Sequence, residues 1–249
     1  MKNAEHWKPT KAECRHGRWR ASRDTREVSL GSRAMADWVI EAYEAAIRAH
    51  VRGTLVDVGC GKMPYYGIYR DLVSEVIGVD WPASVHDSPY IDVFCDLNVE
   101  IGLGDETVDT ALCTDVLEHI YRPARLWQEI ARVLKPGGVA IVATPFLYWI
   151  HEAPHDYHRY TSFALERYAT DAGLCVDTTF SIGGLPHVLT DLICKATHRA
   201  AIIAEGIRLT ARAVLKIGPV RRAAQASASR FPLAYLLIVS KPAGSHGSD

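Results

Sequence analysis

A short apolar run that ends in two glycines places the strongest constraint on how this chain can fold. Residues 55–64 read Leu-Val-Asp-Val-Gly-Cys-Gly-Lys-Met-Pro. Leucine and valine predict a buried strand, and Gly59 and Gly61 can adopt positive φ and expose backbone N–H groups. In α/β sheets, a strand that enters such a turn binds nucleotide-type ligands. The G-x-G spacing alone is also consistent with an ordinary turn.

The residue that follows this turn narrows the ligand class. A dinucleotide fingerprint has a third glycine three residues after the second, where the helix packs closely near a pyrophosphate. Pro64 occupies that position. We therefore expect a nucleotide-type ligand without a pyrophosphate, rather than NAD or FAD.

Three further strand-like segments end in acidic residues, namely Asp80, Asp96 and Asp115. Asp80 lies about 20 residues after the glycine turn, where a carboxylate can accept both hydroxyls of a ribose. Asp96 can accept the amino group of an adenine while Leu97 covers the ring. As alternatives, Asp80 and Asp96 are helix caps. Asp57, inside the first strand, either contacts the ligand or holds the glycine loop through backbone N–H groups.

Five motifs in this order resemble those of class I S-adenosylmethionine-dependent methyltransferases, and the bacterial type 11 group in particular. They read VDVGCG, GVD, CDLN, TALCTDVLEHI and EIARVLKPGGVAIVATP, and the resemblance covers residues 52–180. It implies a Rossmann-like α/β fold with a seven-stranded, mostly parallel sheet whose last strand is antiparallel. It also implies S-adenosyl-L-methionine as the cofactor. The cofactor-binding residues that it implies are Asp57, Gly59, Cys60, Gly61, Asp80, Trp81, Asp96, Leu97, Asp115 and Val116.

The candidate catalytic residues lie outside these motifs, mainly in the segment after the fifth strand. A hydroxyl acceptor stays protonated at neutral pH, so its methylation benefits from a general base. His151, His155 and Asp156 are the candidates in this segment, and His119 is a further one after the fourth strand. The pattern H-x-x-P-x-D-Y-x-R-Y-T recurs in related bacterial proteins and favours His151 and Asp156. The alternative is a structural lid in which Asp156 pairs with Arg159.

The sequence argues against a catalytic zinc site and against a nucleic-acid substrate. The H-E-x-x-H string at 151–155 contains Pro154, which is incompatible with the helix of a zinc protease. We expect no metal site, with a magnesium or manganese site from Glu152, Asp156 and a histidine as the alternative.

The fourth strand lacks the N/D-P-P-Y/F sequence that holds the exocyclic amine of a nucleic-acid base. With a net charge of −1, the chain also gives no general case for nucleic-acid binding.

The chain divides into four segments: an N-terminal arm and helix at 1–50, a cofactor-binding core at 51–185, a helical insertion at 186–232, and the last strand and tail at 233–249. Within the first segment, we expect an irregular or short-helical arm before an amphipathic helix over 32–48. The insertion lies before the last strand and is far longer than an ordinary hairpin connection.

The insertion is strongly basic. Residues 195–230 contain eight Lys or Arg and one acid, a net of +7, so the rest of the chain carries −8. This asymmetry predicts an anionic partner, either a phosphate-bearing acceptor or a membrane surface. The alternatives are a solvated helical cap and a homodimer contact.

Length and composition set the remaining expectations. The 249 residues, 48% hydrophobic, suffice for one large domain. The six cysteines include no C-x-x-C pair, and neither an 18-residue apolar run nor a secretion signal is present, which favours a soluble, cytoplasmic protein. We expect a biosynthetic methyltransferase that acts on a saccharide or secondary-metabolite hydroxyl. The alternatives are N- or C-methylation of a small metabolite and a catalytically silent cofactor-binding subunit.

Overall fold

The N-terminal arm contains a β-hairpin that the sequence analysis did not predict. The computed structural model describes residues 1–82 and 88–244. After a 3₁₀ helix at Ala4–His6, strands β1 (Ala12–Arg15) and β2 (Arg18–Ala21) pair in antiparallel fashion. His16 and Gly17 form the turn with φ of 51° and 71°, the left-handed conformation that two-residue hairpins require. The expectation of an irregular or short-helical arm was therefore wrong.

The central element is a seven-stranded sheet. Its strands are β3 (Thr54–Val58), β4 (Glu75–Asp80), β5 (Val93–Phe94), β6 (Val108–Thr114), β7 (Leu134–Pro145), β8 (Cys175–Ile182) and β9 (Ala234–Ser240). Their order is β5-β4-β3-β6-β7-β9-β8. Strand β9 runs antiparallel to both of its neighbours, while β3 to β7 pair in parallel. This confirms the predicted mostly parallel sheet with an antiparallel last strand.

The strand order reverses between β3 and β6, which are adjacent although two strands separate them in sequence. At such a switch point, the loops after the two strands diverge and leave a crevice at the carboxyl ends. The glycine turn follows β3, and Asp115 follows β6. The topology therefore brings these two sequence motifs to one crevice.

Helices cover both faces of the sheet. Helix α1 (Arg33–His50) and the short helix α2 (Tyr66–Tyr69) contribute to one hydrophobic core, while α3 (Pro123–Val133) and α4 (Ser162–Asp171) contribute to the other. Thr161 is the N-cap of α4, and its side chain accepts the N–H of Ala164. The result is a three-layer α/β arrangement.

The insertion between β8 and β9 forms three helices, α5 (Leu185–Ala196), α6 (Ala201–Val214) and α7 (Gly218–Ser227). Residues 197–200 separate α5 from α6. Among the described residues, no helix is both long and apolar enough to cross a membrane.

Several of the basic residues in the insertion are used internally. Arg208 donates to Asp37 on α1 at 2.7 Å and to Glu205, and Arg212 lies 3.8 Å from Asp37. Lys195 pairs with Asp191 within α5. These three residues therefore form ion pairs within the insertion and between the insertion and α1, and their charges are not free for an external partner.

We predict that Asp37→Ala destabilises the protein by roughly 2–4 kcal/mol, because it removes the acceptor of the Ala21 N–H and leaves the largely buried Arg208 guanidinium with Glu205 as its remaining partner. Chemical denaturation would measure the loss. The matched control is Glu44→Ala on the same helix, which removes only a surface pair with Arg48 and should cost about 0.5 kcal/mol or less. Equal effects of the two substitutions would contradict a structural role for the Arg208 pair.

Candidate active site

Two adjoining cavities occupy the crevice at the carboxyl ends of the parallel strands. We call them the Lys11 cavity, of about 320 Å³, and the Trp81 cavity, of about 460 Å³. Both are lined by Gly59, Asp115, His119 and Glu152. These four residues therefore mark the junction through which a ligand in one cavity would meet a ligand in the other.

The Trp81 cavity collects most of the predicted cofactor residues. Its lining includes Asp80, Trp81, Asp96, Leu97 and Val116. Leu97 is buried and apolar, whereas the carboxylate of Asp96 is exposed at the cavity wall. A flat apolar surface beside carboxylate acceptors is the lining that a nucleoside requires.

Asp80 connects this cavity to the glycine turn. One carboxylate oxygen accepts the N–H of Gly61 at 2.6 Å, and the other accepts the N–H of Trp81 at 2.6 Å. Its side chain therefore holds the loop as well as facing the cavity. Cys60 and Gly61 line the Lys11 cavity on the other side of the same turn.

Gly59 is required by packing within the protein. Its φ is +67°, and a Cβ at this position would lie 2.5 Å from Cγ2 of Val116. The turn after β3 thus lies directly against the loop after β6. A loss of ligand binding in a Gly59→Val variant would therefore report on this contact as well as on the ligand.

The structure places Asp57 away from both cavities. Its carboxylate accepts a hydrogen bond from the Tyr69 hydroxyl at 2.6 Å. Burial raises the pKa of Asp57 to about 7, with the Tyr69 hydrogen bond opposing the increase. This placement favours a role in holding the chain beside the glycine turn over direct ligand contact.

Asp115 is bound by two residues that the sequence analysis missed. It has a φ of 56°, and its carboxylate accepts from the Tyr43 hydroxyl at 2.8 Å and from the Lys11 ammonium at 2.5 Å. Burial opposes protonation of Lys11, but the charge of Asp115 raises its pKa overall. Lys11 and Asp115 are 104 residues apart, so no local pattern could predict their pairing.

Two acceptor atoms lie beside Nδ1 of His151. This nitrogen is 3.3 Å from Asp156 Oδ2 and 3.3 Å from the carbonyl oxygen of Trp149. The tautomer with the proton on Nδ1 satisfies these acceptors and leaves a lone pair on Nε2 in the neutral ring. Burial lowers the pKa of His151, but Glu118 and Asp156 outweigh it, so the pKa is raised.

Asp156 positions this imidazole. Its carboxylate is almost fully buried and accepts two hydrogen bonds from Arg159, at 2.5 and 2.7 Å, and one from the backbone N–H of His151 at 3.0 Å. The hydrogen bonds from Arg159 hold the pKa of Asp156 well below its usual range. Asp156 is consequently a poor proton acceptor, and the predicted Asp156–Arg159 pair is present.

Glu118 is a further residue that the sequence analysis did not place in the site. It is fully buried, and its Oε2 accepts from the Thr144 hydroxyl at 3.0 Å. Its Oε1 has no hydrogen-bond partner among the described residues and lies 3.7 Å from His151 Nε2 and 3.8 Å from His119 Nε2. The residue therefore places a buried carboxyl group between two imidazoles.

His119 and His155 occupy different positions. His119 lies at the junction of the cavities, and its Nδ1 bonds the backbone carbonyl of His155 at 2.7 Å, which leaves Nε2 unprotonated in the neutral ring. The His155 side chain lines the Trp81 cavity, contacts the Trp81 ring edge-on, and lies 3.1 Å from the Tyr157 hydroxyl. Of the predicted histidines, His151 and His119 thus face the Lys11 cavity, and His155 does not line it.

One group of described residues has donor atoms close enough to hold a metal ion. Glu118, His119 and His151 each offer one atom, and these atoms lie within 4.8 Å of one another. The alternative set of Glu152, Asp156 and a histidine is less suitable because Arg159 occupies the Asp156 carboxylate. The segment containing H-E-x-x-H is not helical, as Pro154 predicts.

The architecture and site define a class I methyltransferase fold, and comparison with known proteins supports this class. Residues 56–142 match the family model described as "Methyltransferase domain". This part of the chain is similar to S-adenosylmethionine-dependent methyltransferases, and the similarity implies S-adenosyl-L-methionine as the cofactor.

Relatives and solved structures agree with this assignment. The chain is 31% identical over 96 residues to a probable S-adenosylmethionine-dependent methyltransferase of Mycolicibacterium smegmatis, with 36% of this chain and 37% of that protein covered. It is 32% identical over 134 residues to a protein of the same description from Mycobacterium tuberculosis, with 46% and 47% covered. The matches span less than half the length of both relatives. The fold is similar to that of an S-adenosylmethionine-dependent methyltransferase from Mesorhizobium loti, with a TM-score of 0.55, 16% identity, and 85% of this chain and 100% of that one covered.

We predict that Asp80→Ala weakens S-adenosylmethionine binding by about 1.5–3 kcal/mol, the scale of hydrogen bonds to a charged group. Isothermal calorimetry would measure the affinity. Asp92→Ala is the control, because Asp92 also accepts a backbone N–H, that of Gly78 at 2.7 Å, but lines neither cavity. Unchanged affinity in Asp80→Ala would remove the ribose assignment.

Proposed function

We propose that the protein transfers a methyl group from S-adenosylmethionine to a hydroxyl oxygen of a small molecule, with His151 as the general base. The observation that carries this proposal is the pair of acceptor atoms beside Nδ1 of His151. When Nδ1 donates its proton in a hydrogen bond to Asp156 or to the Trp149 carbonyl, Nε2 is left as a proton acceptor beside the Lys11 cavity.

The residues of the Trp81 cavity suit the adenosine part of the cofactor. Asp80 would accept the ribose hydroxyls, Asp96 would accept the adenine amino group, and Leu97 would cover the ring. Bound in this way, the cofactor would supply an electrophilic methyl group near the junction of the cavities. Gly59 and Asp115 line that junction, so the acceptor would approach from the Lys11 cavity.

Proton transfer accompanies the displacement. The acceptor oxygen forms a bond to the methyl carbon as the carbon–sulfur bond breaks, and the hydroxyl proton moves to Nε2 of His151. The resulting imidazolium lies between Asp156 and the unpartnered Oε1 of Glu118, which stabilise its charge. Asp156 acts as a positioning residue in this scheme, and His119 is a second group within reach of the proton.

The lining of the Lys11 cavity supports a polar acceptor. Lys11, Glu27, Ser29, Ser32 and Tyr148 contribute polar groups to it. Such a surface suits a saccharide or a hydroxylated secondary metabolite. A small-molecule acceptor is also the simplest occupant of a cavity of about 320 Å³. We propose no nucleic-acid partner.

We predict that His151→Asn lowers turnover by about 10²-fold or more while cofactor affinity stays near normal, because the substitution removes the base and leaves the Trp81 cavity intact. His155→Asn in the same segment is the matched comparison. Its side chain lines the cofactor-side cavity, so we expect an effect on cofactor affinity that exceeds its effect on turnover. Steady-state kinetics would measure the turnover of each variant, and calorimetry would measure its cofactor affinity.

The alternatives give different results in this experiment. Little loss of turnover in His151→Asn, with lowered cofactor affinity, would support the lid function of this segment. N-methylation of a neutral amine needs no base before the transfer, so a small effect with intact cofactor affinity would favour that activity. Cofactor binding without turnover on any hydroxylated acceptor would favour a silent binding subunit.

We predict that turnover survives exhaustive chelation, because the proposed base needs no metal. Activity after dialysis against EDTA would be compared with activity after addition of Mg²⁺, Mn²⁺ or Zn²⁺. Loss on chelation and rescue by one ion would instead assign Glu118, His119 and His151 to a metal centre.

A further inference from the structure

The exposed faces of α5 and α6 are apolar. On α5, Leu189, Leu192 and Ile193 are 50%, 55% and 48% exposed. On α6, Ile202 is 90% exposed, and Ile203 and Leu209 are 55% and 53% exposed. Among the residues of both helices whose burial is described, the charged ones are buried or only partly exposed.

The inward faces of the same two helices carry the charges. Asp191 and Lys195 are buried on α5, and Arg208 lies between Glu205 and Asp37 below α6. A surface helix of a globular protein has the opposite arrangement, with apolar residues inward and charged residues outward. The two helices are thus folded as if their outer face meets an apolar medium.

The insertion also carries exposed cations outside these two helices. Of the eight basic residues in 195–230, five are exposed and take part in no ion pair within the described part of the chain. They are Arg199, Lys216, Arg221, Arg222 and Arg230. Glu205 is the one acid in the segment, and it is paired with Arg208. The exposed, unpaired charge of residues 195–230 is therefore purely positive, although the rest of the chain carries −8.

We propose that this surface, formed by α5, α6 and the cations of α7 and its flanking loops, docks on an anionic lipid membrane. The apolar side chains enter the acyl boundary, and the five cations contact lipid phosphates. The helices contain 12 and 14 residues, which corresponds to about 18 and 21 Å and is shorter than the roughly 30 Å of a bilayer core. They therefore lie in the interface and do not span it.

The charge distribution favours an anionic lipid membrane, rather than a second copy of the chain, as the occupant of this surface. A symmetric dimer through this face would bring two sets of five unpaired cations together, and like charges across an interface oppose association. A membrane with anionic lipids offers both the apolar medium and the opposite charge.

Helix α5, whose outer face belongs to the docking surface, contacts the wall of the proposed acceptor cavity with its inward face. Lys195, near the end of α5, lies 3.5 Å from the ring centroid of Tyr148, which lines the Lys11 cavity, and 5.2 Å from that of Trp149. Trp149 and Ile150, which continue from this wall, are 42% and 79% exposed. Membrane docking would consequently hold the wall of the acceptor cavity near the lipid.

Vesicle co-sedimentation tests the proposal. We expect the wild-type protein to bind vesicles of phosphatidylcholine mixed with phosphatidylglycerol, and less strongly those of phosphatidylcholine alone. The triple variant Leu192→Ser, Ile202→Ser, Ile203→Ser should lose about tenfold or more in partition. The double variant Arg221→Gln, Arg222→Gln should lose about fivefold in vesicle partition for each charge removed, and only on anionic vesicles.

The control is Phe163→Ser, because Phe163 is 81% exposed on α4, outside this surface, and should bind like the wild type. All substituted residues are exposed, and cofactor affinity measured by calorimetry would verify that each variant is folded. Absence of wild-type binding to anionic vesicles would overturn the proposal. A dimer in light scattering that the triple variant abolishes, without vesicle binding, would overturn it in favour of a second copy as the occupant.

Discussion

The contact between the loops after β3 and β6 is the constraint on which the site depends. Gly59 and Val116 lie so close that a Cβ on Gly59 would come within 2.5 Å of the valine side chain. The strand order reverses at this point, so the two loops diverge on either side of their contact. The two cavities meet at this contact, and residues from different sequence motifs line both of them.

The cofactor side of the site could be predicted because its residues are local to strand ends. Asp80, Asp96 and Asp115 each follow a strand with clear apolar patterning, and parallel strands carry their carboxyl ends to one edge. Most of the predicted residues accordingly line one of two adjoining cavities. Asp57 illustrates the limit of this reasoning, because a residue inside a strand points to one face or the other, and only packing against Tyr69 decides which.

The acceptor side depends on contacts between distant segments. Lys11 reaches Asp115 across 104 residues, and Tyr43 approaches the same carboxylate from α1. The hairpin that carries Lys11 to the cavity was also missed, since its signal is a single glycine after a histidine in a polar segment. Glu118 looked like part of a cofactor motif, and its buried position between two imidazoles required the lid segment to fold over it.

The insertion shows why a count of charges is weaker evidence than their placement. Eight basic residues predicted an anionic partner, yet Lys195, Arg208 and Arg212 pair with Asp191, Asp37 and Glu205 inside the protein. A reversal of charge at Arg208 would therefore break the attachment of α6 to α1 before it affected any external partner. The distinguishing feature is the apolar outer face, which the periodicity of the sequence would assign to the core. Periodicity shows that a helix has an apolar face, but it does not show whether that face contacts protein or lipid. The contacts of the opposite face decide this. In α5 and α6, the opposite face carries basic residues that pair with acidic residues of the protein itself.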